Sequence, residues 1–151
     1  MSLSIVSIPI TLKQGAKKPA YAMEGDAGMD LHALLTENRV IDPGQRMLIP
    51  TGVFISIPKG YEGQIRPRSG LALKKGLTVL NSPGTIDSGY RGEIKIILIN
   101  LGQEPIRIAS GERIAQIVIA PVCHVQWTED NNESMDKQPS RGGAGFGSSG
   151  I

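Results

Sequence analysis

Turn residues recur along this chain at intervals too short for most helices, and the runs between them are rich in β-branched and aliphatic side chains. Of 151 residues, 19 are glycine and 10 are proline. Helix interiors tolerate neither residue well, and tight turns need both. Ser4 to Leu12 alternates apolar and polar residues and reads as a strand. Arg39 to Ile41 reads as a strand ending in the turn Asp42-Pro43-Gly44. Gln45 to Thr51 and Gly52 to Ile57 read as two more strands, broken around Pro50 to Gly52 and followed by the turn Pro58-Lys59-Gly60. Tyr61 to Arg66, Leu77 to Leu80, Ile94 to Ile99, Ile106 to Ile108 and Ile114 to Ile119 repeat the pattern. Only Gly70 to Lys75 has the composition of a helical turn or two. Many short strands at close spacing predict an all-β fold, a jelly-roll-like β-barrel, and no internal repeat is visible.

The length suits one domain with a real core. From Thr128 the character changes, so the expected division is a β-barrel domain over 1–128 and a flexible C-terminal arm over 129–151. The arm ends in the glycine-rich run Arg141 to Gly150, which carries one Phe and one Arg. A net charge of +2, with basic residues scattered and aromatics at 4%, argues against a nucleic-acid groove. No stretch approaches the ~20 apolar residues of a membrane span. The N-terminus is too short and polar for a signal peptide, and the one cysteine, Cys123, has no internal partner. Cys123 sits in an apolar run without a nearby base and reads as a small buried hydrophobe. The expectation is a soluble cytoplasmic protein without membrane or nucleic-acid partners.

Five polar, glycine-containing segments stand apart from this background. Asp26 to Leu31 (DAGMDL) reads as a turn. Arg66 to Ala72 (RPRSGLA) fits either a capped helix with solvated arginines or a phosphate cradle of guanidinium, hydroxyl and backbone N–H groups. Asn81 to Glu93 (NSPGTIDSGYRGE) fits a plain hairpin, or a loop that holds Asp87 to orient a water and offers the flat face of Tyr90. Gly111 to Gln116 (GERIAQ) is a turn entering a buried strand, with a surface Arg and a satisfied Gln as the simplest reading. The tail Arg141 to Gly150 (RGGAGFGSSG) could bring several N–H groups to one anion, with Phe146 stacked on a base. Zinc-ligand spacing is absent, and His32 and His124 are far apart. No Walker-type loop is present either, which excludes a P-loop nucleotidase.

In this order and spacing, the five segments resemble the five motifs of the trimeric deoxyuridine triphosphatase family. The resemblance runs from about residue 20 to the C-terminus. It implies a homotrimer whose active sites are shared between chains and closed by the C-terminal arm. It also implies Mg²⁺-dependent hydrolysis of dUTP to dUMP and pyrophosphate by water attack on the α-phosphate. That reaction would keep uracil out of DNA and supply dUMP for thymidylate synthesis. By position, Asp87 is similar to the family's catalytic aspartate. Asn81 with the backbone of Gly84, Thr85 and Ile86 resembles the uracil pocket, and Lys95 adds a main-chain contact. Tyr90 would pack on deoxyribose, while Arg68, Ser69, Gly70 and Gln116 would grip phosphate. Asp30 would hold Mg²⁺ through water. Arg141, Phe146, Gly147, Ser148 and Ser149 correspond to the lid. Few carboxylates and several phosphate donors suit magnesium, which keeps most of its waters.

The nearest rival is a dCTP deaminase, which shares the fold and a related hairpin. Its catalytic Glu would fall at Ile97 here, and a hydrophobic side chain cannot relay protons. A non-catalytic nucleotide-binding protein on this scaffold should have lost Asp87 or the lid, and both are present. A generic β-barrel interaction module is what the fold alone would allow.

Overall fold

The computed structural model describes residues 5–129. The chain runs through β1 (Ile10–Leu12), β2 (Gly28–His32), β3 (Arg39–Ile41), β4 (Arg46–Ile55) and β5 (Tyr61–Arg66). A single helix, α1 (Ser69–Lys75), precedes β6 (Leu77–Val79), β7 (Gly84–Ile86), β8 (Ile94–Asn100), β9 (Ile106–Ile108) and β10 (Arg113–Pro121). One sheet has the order β1-β4-β8-β6, a second has β2-β10-β5-β7, and β3 pairs with β9. Every pairing is antiparallel. The inward faces of the sheets meet in one aliphatic core, where Leu31, Ile49, Val53, Ile94, Ile96 and Leu98 are fully buried. The expected all-β, jelly-roll-like architecture is therefore present, with one short helix.

Alternation explains most strands. Along β8, Ile94, Ile96, Leu98 and Asn100 are buried, while Lys95 is exposed. Three segments differ from the sequence reading. Val6, Ile8 and Ile10 do alternate inward, but the ladder begins only at Ile10, after Pro9, which has no N–H to donate. The half-site DAGMDL is not all turn, because its second part is β2, whose Leu31 anchors the core. The two strands expected on either side of Pro50 to Gly52 are one strand, β4, with a register shift between Pro50 and Val53. The polar groups at this irregularity are taken by β8 and by the residue before it. Thr51 Oγ1 donates to the Ile94 carbonyl at 2.6 Å, and the Gly52 N–H donates to the Glu93 carboxylate at 2.8 Å. That is a β-bulge closed by side chains, which a turn would not need.

Cys123 is exposed, contrary to the buried position expected from its apolar run, because the strand ends at Pro121 and the chain leaves the sheet. No helix among the described residues is long and apolar enough to cross a membrane. Residues 130–151, most of the expected arm, lie outside the described residues.

Glu93 is the one acidic residue among the buried polar side chains. Burial pushes its carboxyl up, but hydrogen bonds from Lys13 Nζ (2.7 Å) and the Gly52 N–H outweigh that and hold it below the ordinary glutamate range. A depressed folded-state pKa means stability present above the unfolded value and lost as pH falls through the folded one. Glu93→Ala should therefore cost about 2 kcal/mol at pH 7, the scale of hydrogen bonds to a charged group. The gap to the unsubstituted protein should narrow below about pH 4, under the ordinary glutamate value. Urea unfolding across pH 3–8 checks this, and a gap that does not change with pH would contradict it.

Candidate active site

The strand β10 lies between β2 and β5, and its register decides what meets at one end of the sheet. Gln116 pairs with Asp30 on one side and Arg66 on the other. A register shift between Arg113 and Ala115 buries Ile114 and Ala115 in succession. Simple alternation would put Arg113 and Gln116 on opposite faces. The bulge brings both to the outer face, beside Asp30 and the chain that leaves β5 for α1.

There a cavity of about 630 Å³ opens, lined by Asp26 to Gly28, Asp30, Arg68 to Leu71, Lys74, Lys75, Arg113 and Gln116. Asp30 is gripped from both sides: Arg68 Nε donates to Oδ1 at 2.9 Å, and an Arg113 terminal nitrogen donates to Oδ2 at 3.3 Å. Arg68 is thus not a solvated arginine. Asp30 fixes it through Nε, which leaves its terminal nitrogens for another acceptor. The Gln116 amide nitrogen donates to the Pro67 carbonyl at 2.9 Å, so this side chain fastens the turn before α1. Its Oε1 rests over Gly28, where a Cβ would collide with it. Glycine at position 28 is what allows that close approach. Four cationic and two acidic side chains line the cavity, which leaves it net positive. At the end of β2, His32 Nδ1 is buried without a hydrogen-bond partner among the described residues. Burial, and the positive charges of Lys17, Arg113 and Arg68, hold His32 below the ordinary histidine range against the pull of Asp30.

Of the sequence-predicted residues, Asp30, Arg68, Ser69, Gly70 and Gln116 therefore meet in one place. Asn81, Gly84, Thr85, Ile86, Asp87, Tyr90 and Lys95 do not line this cavity. The strand β7 pairs with the far edge of β5, with Gly84 opposite Ile65 and Ile86 opposite Gly63. The chain thus carries Asp87 toward the Tyr61 end of β5, while Arg68 follows its Arg66 end. Ile86 stands three residue levels and two strand spacings from Gln116, about 14 Å at ordinary sheet dimensions. Asp87 is exposed, and no hydrogen bond or ion pair engages its carboxylate among the described residues. The turn beyond it is tied by Tyr90 N–H to the Asp87 carbonyl (3.0 Å) and by Arg91 to the Ser88 and Tyr90 carbonyls. Arg141, Phe146, Gly147, Ser148 and Ser149 lie outside the described residues. Arg113, Lys74 and Lys75 escaped the sequence reading. Lys74 and Lys75 were legible only as a helix end, and Arg113 needed the bulge.

The chain matches the dUTPase family model over residues 14–150. It belongs to the dUTPase family. It is 58% identical over 132 residues to the deoxyuridine 5'-triphosphate nucleotidohydrolase of Wolbachia pipientis wMel, covering 87% of this chain and 86% of that one. The enzyme of the same name from Bartonella quintana (strain Toulouse) is 56% identical over 145 residues, covering 91% and 78%. Among solved structures, a Staphylococcus bacteriophage 80alpha dUTPase variant with dUpNHpp superposes with a TM-score of 0.83 at 31% identity, covering 96% of this chain and 99% of that one. A dUTPase variant from phage phi11 of S. aureus, described with a structural Mg(II) ion, gives 0.76 at 25% identity, covering 85% and 99%.

Members of the dUTPase family typically use magnesium, which raises the question of what could hold it here. Among the described residues, no three or more His, Cys, Asp or Glu side chains converge. Asp30, the carboxylate nearest the arginines, has both oxygens engaged. This donor set does not fit a direct carboxylate cage. It fits an ion carried by phosphates, with Asp30 and Gln116 as the residues that would meet its waters.

The cavity's charge predicts that Arg113→Ala weakens binding of inorganic tripolyphosphate by roughly tenfold, the scale of one charge-assisted hydrogen bond. The loss should shrink at high salt. Isothermal titration measures it, and unchanged affinity would show that the cavity does not take phosphate through this arginine.

Proposed function

We propose that this chain hydrolyses dUTP to dUMP and pyrophosphate as a homotrimer whose active sites combine residues of different subunits. The observation that carries the reading is the division of the site. The phosphate-gripping set and the hairpin with Asp87 sit at opposite ends of β5 in one chain. A second copy's hairpin, brought to this cavity, completes what one chain holds apart. The family membership and the names of the relatives support the same reaction.

On this reading, Arg68, Ser69, Gly70 and Arg113 hold the triphosphate in the cavity, with Gln116 beside them. The hairpin of a neighbouring chain supplies the base contacts, and its Tyr90 packs on the deoxyribose. In the sheet order β2-β10-β5-β7, β7 is an edge strand. Every second residue of an edge strand turns its N–H and C=O away from the sheet. Gly84, Thr85 and Ile86 can thus pair with the polar edge of uracil much as adenine would. Asn81 sits at the mouth of the hairpin, and the Lys95 main chain adds a contact from β8. The narrow hairpin leaves no room for a 5-methyl group, which excludes thymine.

Asp87 accepts a hydrogen bond from a water and aims it at the α-phosphorus. As the water's oxygen bonds to phosphorus, its proton passes to the carboxylate. The bond from the α-phosphorus to the bridging oxygen breaks, and pyrophosphate leaves. The arginines and backbone N–H groups offset the charge that collects on the phosphates. When bound, magnesium adds to that neutralisation, with Asp30 and Gln116 as the residues that would meet its waters. Arg141, Phe146, Gly147 and Ser148 are read as a lid that reaches the site from another chain, Phe146 over the uracil and Arg141 at the terminal phosphate.

The test is product analysis. The unsubstituted protein should release pyrophosphate and dUMP from dUTP and no ammonia from dCTP. Asp87→Asn should bind a non-hydrolysable dUTP analogue with near-normal affinity and lose turnover by about 10²–10⁴-fold, the usual worth of a positioned general base. Near-normal turnover in this variant would refute the assignment.

A further inference from the structure

The sugar-reading role given to Tyr90 raises the question of what holds its ring. Tyr90 is 42% exposed. The phenol end of its ring lies against Gly92: a Cβ there would stand 2.5 Å from Tyr90 Cζ and closer still to the phenolic oxygen. No side chain larger than hydrogen fits beneath the ring in this pose. The phenol O–H donates to the Glu93 carbonyl at 2.8 Å. Together these contacts fix both side-chain torsions of Tyr90.

The acceptor is itself anchored. The Glu93 side chain is almost wholly buried and takes hydrogen bonds from the Gly52 N–H at 2.8 Å and from Lys13 Nζ at 2.7 Å. The next residue, Ile94, is fastened to the same bulge of β4 through Thr51 Oγ1. The carbonyl that receives the phenol is therefore referenced to the core of the β1-β4-β8-β6 sheet, whereas the loop carrying Tyr90 has an exposed tip.

We propose that Gly92 and Glu93 are positioning residues for sugar selection: Gly92 provides the floor on which the Tyr90 ring lies, and Glu93 ties its hydroxyl to the β4 bulge. The proposal rests on the reading of Tyr90 under Proposed function. Its physical content is rigidity. A ring that can tilt away makes room for a 2'-hydroxyl, whereas a ring pinned at both ends presses an apolar face against it. The phenol proton is also committed to the Glu93 carbonyl and is not available to solvate the extra hydroxyl.

The experiment compares kcat/KM for dUTP and UTP in the trimeric holoenzyme with magnesium. The variants are Gly92→Ala, Glu93→Gln, Tyr90→Ala and the double variant Tyr90→Ala/Gly92→Ala, with thermal unfolding as the fold control. Gly92→Ala should lower the dUTP/UTP ratio by at least about tenfold, the scale on which a buried unpaired hydroxyl is rejected. Glu93→Gln, which keeps an acceptor for the Gly52 N–H but loses the charge facing Lys13, should lower it by less. In the Tyr90→Ala background, Gly92→Ala should change the ratio no further, because its effect passes through the ring. A general structural role would instead lower both efficiencies together and persist in that background. An unchanged ratio in Gly92→Ala, or an undiminished effect in the double variant, overturns the positioning role alone. If Tyr90→Ala itself keeps the full ratio, the sugar-reading role of Tyr90 falls, and this proposal with it. If Gly92→Ala does not fold, an unchanged ratio in Glu93→Gln overturns the tie through the hydroxyl.

Discussion

The strand β5 hydrogen-bonds along both edges, to β10 on one side and to β7 on the other. Antiparallel pairing on both edges leaves no freedom in what each end of it can hold. Ile117 of β10 lies level with Ile65 of β5, both buried, and a one-residue slip between these two strands would set one of them facing outward. With Gln116 level with Arg66 and Ile86 level with Gly63, the cavity residues gather at one end. The hairpin carboxylate is carried toward the other. The same hydrophobic alternation that makes the sheet thus sets how far apart the cavity and the hairpin stand in one chain.

Within each half, charge is fixed before any ligand arrives. Asp30 lies between two guanidiniums, so Arg68 and Arg113 are oriented by a partner on a core strand and not by solvent. Cationic groups held in this way need little reorganisation to meet an anion. The hairpin half is prepared differently, by burying one carboxylate. Glu93 joins the base of the loop to the β4 bulge and to Lys13, whose ammonium also stands 5.6 Å from the centre of the Phe54 ring. Both halves use a carboxylate to orient other groups, and Asp87 is left exposed at the hairpin edge.

Much of this was legible in the sequence, for identifiable reasons. Runs such as Ile94 to Ile99 alternate around a single buried face, so periodicity locates them. The helix, expected over Gly70 to Lys75 from its composition, spans Ser69 to Lys75. The roles expected of Asp30 toward magnesium and of Arg68, Ser69, Gly70 and Gln116 toward phosphate came from the family resemblance, and the structure brings these residues to one cavity. Periodicity fails wherever a bulge intervenes. Pro50 and Gly52 look like a turn, and only the side-chain bonds of Thr51 and Glu93 keep β4 continuous. Arg113 and Gln116 look like opposite faces until the bulge at Ile114 is known. The distance between the two halves of the site depends on pairings between residues far apart in sequence, which no local pattern records. Arg141 to Ser149, read from the sequence as a lid, lie outside the described residues.

If the site is shared between subunits as proposed, no single chain holds a working one, and subunit mixing tests this most directly. Arg68→Ala disables the cavity and leaves the hairpin intact, whereas Asp87→Asn does the reverse. Co-expressed in equal amounts, the two chains should form mixed trimers, verified by native mass spectrometry. If cavity and hairpin come from different subunits, about a quarter of the sites receive one intact copy of each by random assembly. dUTP turnover should then recover to roughly a quarter of the unsubstituted rate. If mixed trimers form and turn over dUTP no faster than the two variants measured separately, cavity and hairpin act within one chain, and the shared site is wrong.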